Sequence, residues 1–288
     1  MTALIRIGRL VSVLLISVLA SRFAHSEPAA ESGPPSCATP PTISAIEVAL
    51  AHSASRIRAG RPLTIVAIGS SSTLGVGASG PAMSYPSRLE EELKERFPEV
   101  DLRVINHGVG GQDVPEEVAR LDRDVLAERP DLVIWQLGTN AVLRRDDLSA
   151  DEQQIRRGVS ILKEHGMDVI LMDLQYAPRV LARPATEEME RLIADVARNA
   201  HVGLFRRFEI MREWDHTRQL APAAMISPDG LHMTNASYSC LANQLAEALG
   251  WNWWSQGKLA KSAHRAPDAL AGIRATEANE NPTLLRHP

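Results

Sequence analysis

Four short polar stretches hold the residues with chemistry to offer. They are Gly69-Ser70-Ser71-Ser72-Thr73, Asn106-His107-Gly108-Val109-Gly110-Gly111, Gly138-Thr139-Asn140 and Ser227-Pro228-Asp229-Gly230-Leu231-His232. Together they supply a hydroxyl (Ser71), a glycine amide (Gly111), a carboxamide (Asn140) and an acid–imidazole pair (Asp229, His232). That set matches what acyl transfer needs. A serine hydroxyl is a poor nucleophile until a base takes its proton. His232 is such a base, with Asp229 to hold its tautomer, and the same imidazole can later protonate a leaving alcohol. The amides of Ser71 and Gly111 and the side chain of Asn140 are candidate donors to the oxyanion, each worth about 3 kcal/mol in the transition state. Read one at a time, Ser, Thr and Gly are also ordinary turn and cap residues.

What gathers the four stretches is the pattern between them. Leu63, Ile65, Val66 and Ile68 make a strand over about 62–69 with the continuous apolar character of a strand covered on both faces. Further strands are expected at Leu102–Asn106, Leu132–Leu137, Val169–Leu174 and Val202–Phe205. Helical patterns alternate with them. Ser44-x-x-Glu47 reads as a capping box opening a helix with Ile43, Ile46, Leu50 and Ile57 on one face. Pro86 opens one with Leu89, Leu93 and Phe97, and Asp113-x-x-Glu116 opens one with Val118, Leu121 and Val125 inward. Two more carry Ile155, Val159 and Leu162, and Met189, Leu192, Ile193 and Val196, and a last one carries Leu241, Leu245 and Leu249 and ends at Gly250. Strand–helix alternation implies a parallel sheet with helices on both faces, where ligands sit at the carboxyl ends of the strands. Three of the polar stretches follow strands and the fourth precedes the last helix.

In this order the four stretches resemble the four sequence blocks of the SGNH, or GDSL-type, serine hydrolases, and the likeness spans residues 62 to 250. The resemblance implies a flavodoxin-like three-layer α/β/α sandwich and a metal- and cofactor-independent esterase, lipase, thioesterase or carbohydrate deacetylase. It puts Ser71 rather than the flanking Ser70 or Ser72 in register as nucleophile. It assigns Gly111, ahead of Gly108, and Asn140 to the oxyanion hole, and Asp229 and His232 to the triad. Two positions depart from the family pattern: Ser70 stands where Asp usually precedes the nucleophile, and Ala141 stands where Asp often follows the Asn. Neither position moves the proton or supplies a principal donor, so the departures bear on loop rigidity more than on reaction type. Asp215-His216 also joins an acid to a base, but nothing puts that pair at a strand end, and His107 reads as outlying.

Composition narrows the remaining classes. Residues 1–26 read as a signal peptide: Arg6 and Arg9 precede the apolar run Leu10–Ala20, and Ala24-His25-Ser26 is a small-x-small cleavage site. Residues 27–41 read as a linker, 42–254 as the hydrolase domain and 255–288 as a disordered tail. The chain's formal charge of −4 becomes about −7 without Arg6, Arg9 and Arg22, which argues against nucleic acid as a partner. The expected partner is a small-molecule or glycan ester, with no stable membrane insertion after cleavage and a secreted or periplasmic location. Cys37 and Cys240 can form one bridge in an oxidising compartment or stay as two thiols. Gly75-Val76-Gly77-Ala78-Ser79-Gly80 is a literal G-x-G-x-x-G, but it begins past the strand end and runs into Pro81 rather than a helix, so a loop bordering a pocket is preferred to a dinucleotide site. A flavodoxin-like nucleotide binder and a non-catalytic glycan-binding or scaffold protein remain as readings from other classes.

Overall fold

A computed structural model describes residues 37–144 and 148–265. The expected signal peptide, residues 27–36 of the expected linker and residues 266–288 of the expected tail lie outside the described residues. Five parallel strands form one sheet: β1 (Leu63–Gly69), β2 (Leu102–Gly108), β3 (Leu132–Gln136), β4 (Asp168–Met172) and β5 (Gly203–Phe205), in the order β2-β1-β3-β4-β5. This is the flavodoxin-like doubly wound order, whose switch point lies between β1 and β3. β1 and β3 are almost wholly buried, as their unbroken apolar runs require.

The helices are, in chain order, α1 (Pro41–Ser44), α2 (Ala51–Arg58), α3 (Ser71–Leu74), α4 (Tyr85–Arg96), α5 (Val114–Val118), α6 (Leu121–Asp124), α7 (Thr139–Arg144), α8 (Leu148–Glu164), α9 (Pro178–Leu181), α10 (Thr186–Ala200), α11 (Arg207–His216), α12 (Pro222–Met225) and α13 (Asn235–Arg265). α2, α4 and α13 pack together on one face of the sheet, and α5, α8 and α10 on the other. Register aligns the strand ends that matter. Gly69 pairs with Gly108, and Ile68 pairs with Trp135, so the turns leaving β1, β2 and β3 start side by side.

Several elements differ from their sequence reading, each for a tertiary reason. The helix expected from the Ser44/Glu47 box is broken into α1 and α2. Ser44 bonds back to the Pro40 carbonyl, and Glu47 pairs with Arg206 at 3.0 Å. The break is pinned by Asn252, whose side-chain amide donates to the carbonyls of Ile46 and Val48 and accepts the Leu50 N–H. The carboxylate of Asp168 takes the Ser53 N–H, meeting an orphan donor of the first turn of α2. The helix opened by Asp113 does carry the expected capping box with Glu116, yet stops at Val118 and resumes as α6. Between them the buried Arg120 turns its guanidinium toward the sheet edge.

The last helix does not end at Gly250 but runs to Arg265, so residues 255–265 of the expected disordered tail are helical. A mid-helix glycine costs about 1 kcal/mol. Packing just beyond it offsets that cost. Trp253 is buried, meets Phe97 edge-to-face at 5.5 Å and donates to Ser53 Oγ at 2.9 Å. Its neighbours Trp251 and Trp254 are exposed. Cys37 and Cys240 form a disulfide with Cα atoms 5.4 Å apart, tying the segment before α1 to α13. No helix among the described residues is long and apolar enough to cross a membrane.

One buried acid tests the packing of the β1–β3 region. Glu117 on α5 accepts the Trp135 indole N–H at 2.8 Å, and burial pushes its carboxyl up to about 8 against 4.5 for a free glutamate. The Trp135 hydrogen bond and Arg120 pull the other way. The folded carboxyl therefore holds its proton where the unfolded one has lost it. Its contribution is fully present below pH 4.5 and declines as pH rises toward about 8, by a total on the order of a few kcal/mol. Glu117→Gln keeps an acceptor for Trp135 and removes the titration. Its melting temperature should match wild type near pH 4 and exceed it increasingly from pH 5 to 8. A melting difference independent of pH would contradict the assignment.

Candidate active site

The site is built where β1 ends. Gly69, at φ +157°, makes the bend; a Cβ there would lie 2.9 Å from Gln136 Oε1 and 2.5 Å from Thr73 Oγ1. Gln136, the last residue of β3, is buried and gathers the turn around its amide oxygen. That oxygen accepts Ser70 N–H, Ser70 Oγ and Ser72 Oγ at 3.0 Å each, and Thr73 Oγ1 at 3.2 Å. Ser70, Ser72 and Thr73 point inward and are buried, which turns the intervening Ser71 outward to partial exposure. Glycine is also required at position 108, where a Cβ would lie 2.1 Å from the Leu74 nitrogen, because α3 lies directly over the end of β2. Asn106 joins the two, donating to the Thr73 carbonyl and accepting Gly108 N–H, both at 2.9 Å.

Ser71 Oγ lies 2.8 Å from His232 Nε2, and His232 Nδ1 lies 2.5 Å from Asp229 Oδ2. Asp229 Oδ1 in turn accepts Ser227 Oγ at 2.7 Å and the backbone N–H groups of Leu231 and His232 at 2.9 Å. Burial alone would raise the Asp229 carboxyl. The hydrogen bonds from His232, Ser227 and Leu231 outweigh it and hold the group well below the usual carboxylate range. An ionised Asp229 only accepts. The Nδ1 facing it therefore carries the ring proton, and Nε2 is left as the acceptor for the Ser71 hydroxyl. An imidazole so held can take a proton from Ser71 Oγ and return it to an oxygen beside it.

Asn140, second residue of α7, donates through Nδ2 to the Gln112 carbonyl at 2.7 Å. Gly111 sits at φ +78° next to it in the loop leaving β2, and its carbonyl accepts from Arg144. The Gly111 N–H makes no hydrogen bond among the described residues, and Ser71, as the first residue of α3, has an N–H with no intrahelical acceptor. Ser71, Asp229 and His232 are thus joined by direct hydrogen bonds, and Asn140, at the start of α7, bonds to the Gly111–Gln112 loop. Asp215-His216 falls at the end of α11, and neither residue bonds to Ser71, Asp229 or His232 among the described residues. His107 faces Glu128 at 3.7 Å, outside the serine–imidazole contact.

Residues beyond the four blocks also hold the site. Arg120 donates to the carbonyls of Gly69 (3.0 Å) and His107 (2.8 Å) and to Gln112 Oε1 (2.6 Å), clamping the turns after β1 and β2. Gln136 was legible as an anomaly, a lone amide closing an apolar strand. Arg120 carried no such mark, since charged residues flank it at 122–124. Ser70 and Ala141, which depart from the family pattern, are both buried. The first is tied to Gln136 and the second packs in the core.

Known proteins resemble this chain in sequence and in fold. The model of the Non-GDSL lipase-like family matches residues 36–251. An acetylxylan esterase of Geobacillus stearothermophilus is 26% identical over 198 residues, 64% of this chain and 86% of the relative. An arylesterase of Vibrio mimicus is 30% identical over 95 residues, 33% of this chain and 46% of the relative. Among solved structures, a two-domain esterase active on acetylated mannans superposes with a TM-score of 0.62 at 24% identity over 72% of this chain, which spans 55% of that protein. The G. stearothermophilus acetylxylan esterase Axe2 superposes at 0.54 with 25% identity, covering 66% of this chain and 95% of Axe2. A family match over three quarters of the chain, on a sheet of this order with a serine and an imidazole in hydrogen-bond contact at its edge, places the chain in the Non-GDSL lipase-like family, among the SGNH/GDSL-type hydrolases of ester bonds.

Proposed function

We propose that this hydrolase is an exported serine esterase that removes small acyl groups, acetyl first, from a glycan through a Ser71–His232–Asp229 triad. The observation that carries the reading is the hydrogen-bonded line Asp229 Oδ2, His232 Nδ1, His232 Nε2, Ser71 Oγ at 2.5 and 2.8 Å. His232 takes the Ser71 proton as Oγ bonds to the acyl carbon, and the carbonyl electrons move onto its oxygen. The N–H groups of Ser71 and Gly111 and the amide of Asn140 receive that oxyanion. The intermediate collapses, the C–O bond to the sugar breaks, and His232 gives the proton to the departing alkoxide. Water, deprotonated by the same imidazole, then attacks the acyl carbon; the C–Oγ bond breaks, and His232 returns the proton to Ser71 Oγ as the carboxylic acid leaves. No metal or cofactor enters these steps.

Two observations support a glycan leaving group. One relative is an acetylxylan esterase, and a structural neighbour acts on acetylated mannans. Beside the His232 loop lies an open groove of about 450 Å³ with small and hydroxylated or amide walls, among them Gly77, Ser79, Ala224, Thr234 and Asn235. Neither Ser71 nor His232 lines it, but Gly77 of its wall lies against the histidine loop, where a Cβ would come within 2.9 Å of His232 Cβ. A second reading has its own observation. Leu74, Val76 and Val109 are 45%, 37% and 38% exposed on the loops around Ser71, an apolar rim that suits a longer acyl chain. Export is supported by the signal-like residues 1–26 and by the Cys37–Cys240 disulfide, which suits an oxidising compartment.

An acyl-length series on chromogenic esters, run beside acetylated xylo-oligosaccharides, tests the reading. Acetyl should be cleaved fastest and octanoyl slowest, and Ser71→Ala should abolish turnover. Preference for octanoyl would favour the lipase reading, and equal slow rates in wild type and Ser71→Ala would exclude catalysis. Asp229→Asn removes the ionised acceptor that sets the tautomer, so kcat should fall roughly 10³–10⁴-fold, whereas Asn140→Ala should cost roughly 10²–10³-fold, both measured on the acetyl ester. The exported protein should begin at Glu27, read by intact mass; a mass retaining residues 1–26 would contradict cleavage.

A further inference from the structure

Arg207, the first residue of α11, is fully buried beneath the site, outside all four sequence blocks. Its guanidinium donates only to neutral acceptors: Nη1 to Ser72 Oγ at 2.9 Å, and Nη2 to the Asp173 carbonyl at 2.6 Å and to Gln175 Oε1 at 2.9 Å. Gln175, also buried, takes Thr139 Oγ1 on the same oxygen at 2.7 Å, and its Nε2 faces the Leu231 carbonyl at 3.5 Å. Ser72, Thr139 and Leu231 have one thing in common. Each is the immediate chain neighbour of a residue assigned to the reaction: Ser71, Asn140 and His232.

We propose that Arg207 and Gln175 are positioning residues that hold the serine, oxyanion-donor and histidine loops in one register from below. The inference rests on the Ser71–His232–Asp229 reading of the site. A buried guanidinium is expensive, and apolar packing of the same volume would stabilise a fold at least as well. Burial pulls Arg207 down to about 10, with Asp173 opposing, so it stays cationic at neutral pH. The planar fork reaches two loops at fixed angles, and a lysine ammonium offers only a point donor. Gln175 extends the fork to the other two loops, its oxygen taking Thr139 while its nitrogen faces the peptide that leads into His232. Displacing a reacting group by about 1 Å can cost 10²-fold in rate.

Arg207→Lys, Gln175→Met, Thr139→Val and Thr139→Ser decide the matter, assayed on the acetyl ester. Gln175→Met should lower kcat roughly 10- to 100-fold and leave KM within about twofold, the pattern of an interaction felt only in the transition state. Arg207→Lys should act the same way. Thr139→Val should lose several-fold in kcat, and Thr139→Ser, which restores the hydroxyl, should recover it. Circular dichroism and melting establish which variants fold; if Arg207→Lys does not, Gln175→Met and the Thr139 pair decide. The downfield proton resonance of His232 Nδ1–H gives a readout free of turnover, and should broaden in Gln175→Met. Folded Gln175→Met with wild-type kcat and an unaltered resonance overturns the proposal while leaving the esterase reading intact. Thr139→Ser as impaired as Thr139→Val overturns it too. Wild type inactive on every ester fails the esterase reading, and the resonance then still decides the register.

Discussion

The amide oxygen of Gln136 is the point on which the edge of the sheet depends. It takes a backbone N–H and the hydroxyls of Ser70, Ser72 and Thr73, drawing three of the four hydroxyl residues at 70–73 inward around one acceptor. A buried hydroxyl or amide without a partner costs about 1–3 kcal/mol, so a network of this kind is stable only when complete. Completeness has a geometric consequence. With residues on either side of it committed to the interior, Ser71 is the member of the turn left facing the imidazole. The glycine at 69 follows from the same constraint, since any side chain there would occupy the space of the Gln136 amide.

Much of this was legible in the chain. The strands were visible because a sheet covered on both faces needs long apolar, β-branched runs, and Leu63–Ile68 and Leu132–Leu137 supply them. The four polar stretches were visible because they interrupt that pattern at strand ends and before the last helix, and the resemblance to the SGNH blocks picked out Ser71, Asp229 and His232 within them. Three things were not legible, for one reason. The break at residues 45–50, the division of α5 from α6 and the continuation of α13 through Gly250 each go with a contact to a residue far away in the chain. Asn252, 204 positions from Val48, bonds its carbonyl in place of a helical partner. No local window contains that information. Arg120, Gln175 and Arg207 were hidden likewise: their sequence surroundings are those of solvated residues, and only the fold buries them.

Ser70 and Ala141 show how a departure from family pattern is absorbed. Aspartate before the nucleophile would put a carboxylate beside the Gln136 oxygen, two acceptors facing one another. Serine at 70 supplies a donor, which matches what Gln136 lacks. Ala141 is buried in the core cluster, where an acid would need a partner. At these two positions the chain therefore uses neutral groups where the family pattern has carboxylates, and Ser70 is held by a hydrogen bond to an amide.

The histidine loop is held by a carboxylate instead. Asp229 uses one oxygen for the imidazole and the other for Ser227 and two backbone N–H groups, so a single carboxylate both folds the loop and orients the ring. The antiparallel bridge between Ile226 and Met233 closes the loop behind it, and Arg179 N–H holds the Gly230 carbonyl. Every constraint acts from below or within the loops. Around Ser71 stand the exposed apolar side chains of Leu74, Val76 and Val109, and an open groove runs beside the histidine loop. A site rigid at its base and open at its face can hold a reacting ester firmly while the rest of a long substrate extends past the edge of the sheet. That geometry suits the polymer-bound acyl group proposed as the substrate.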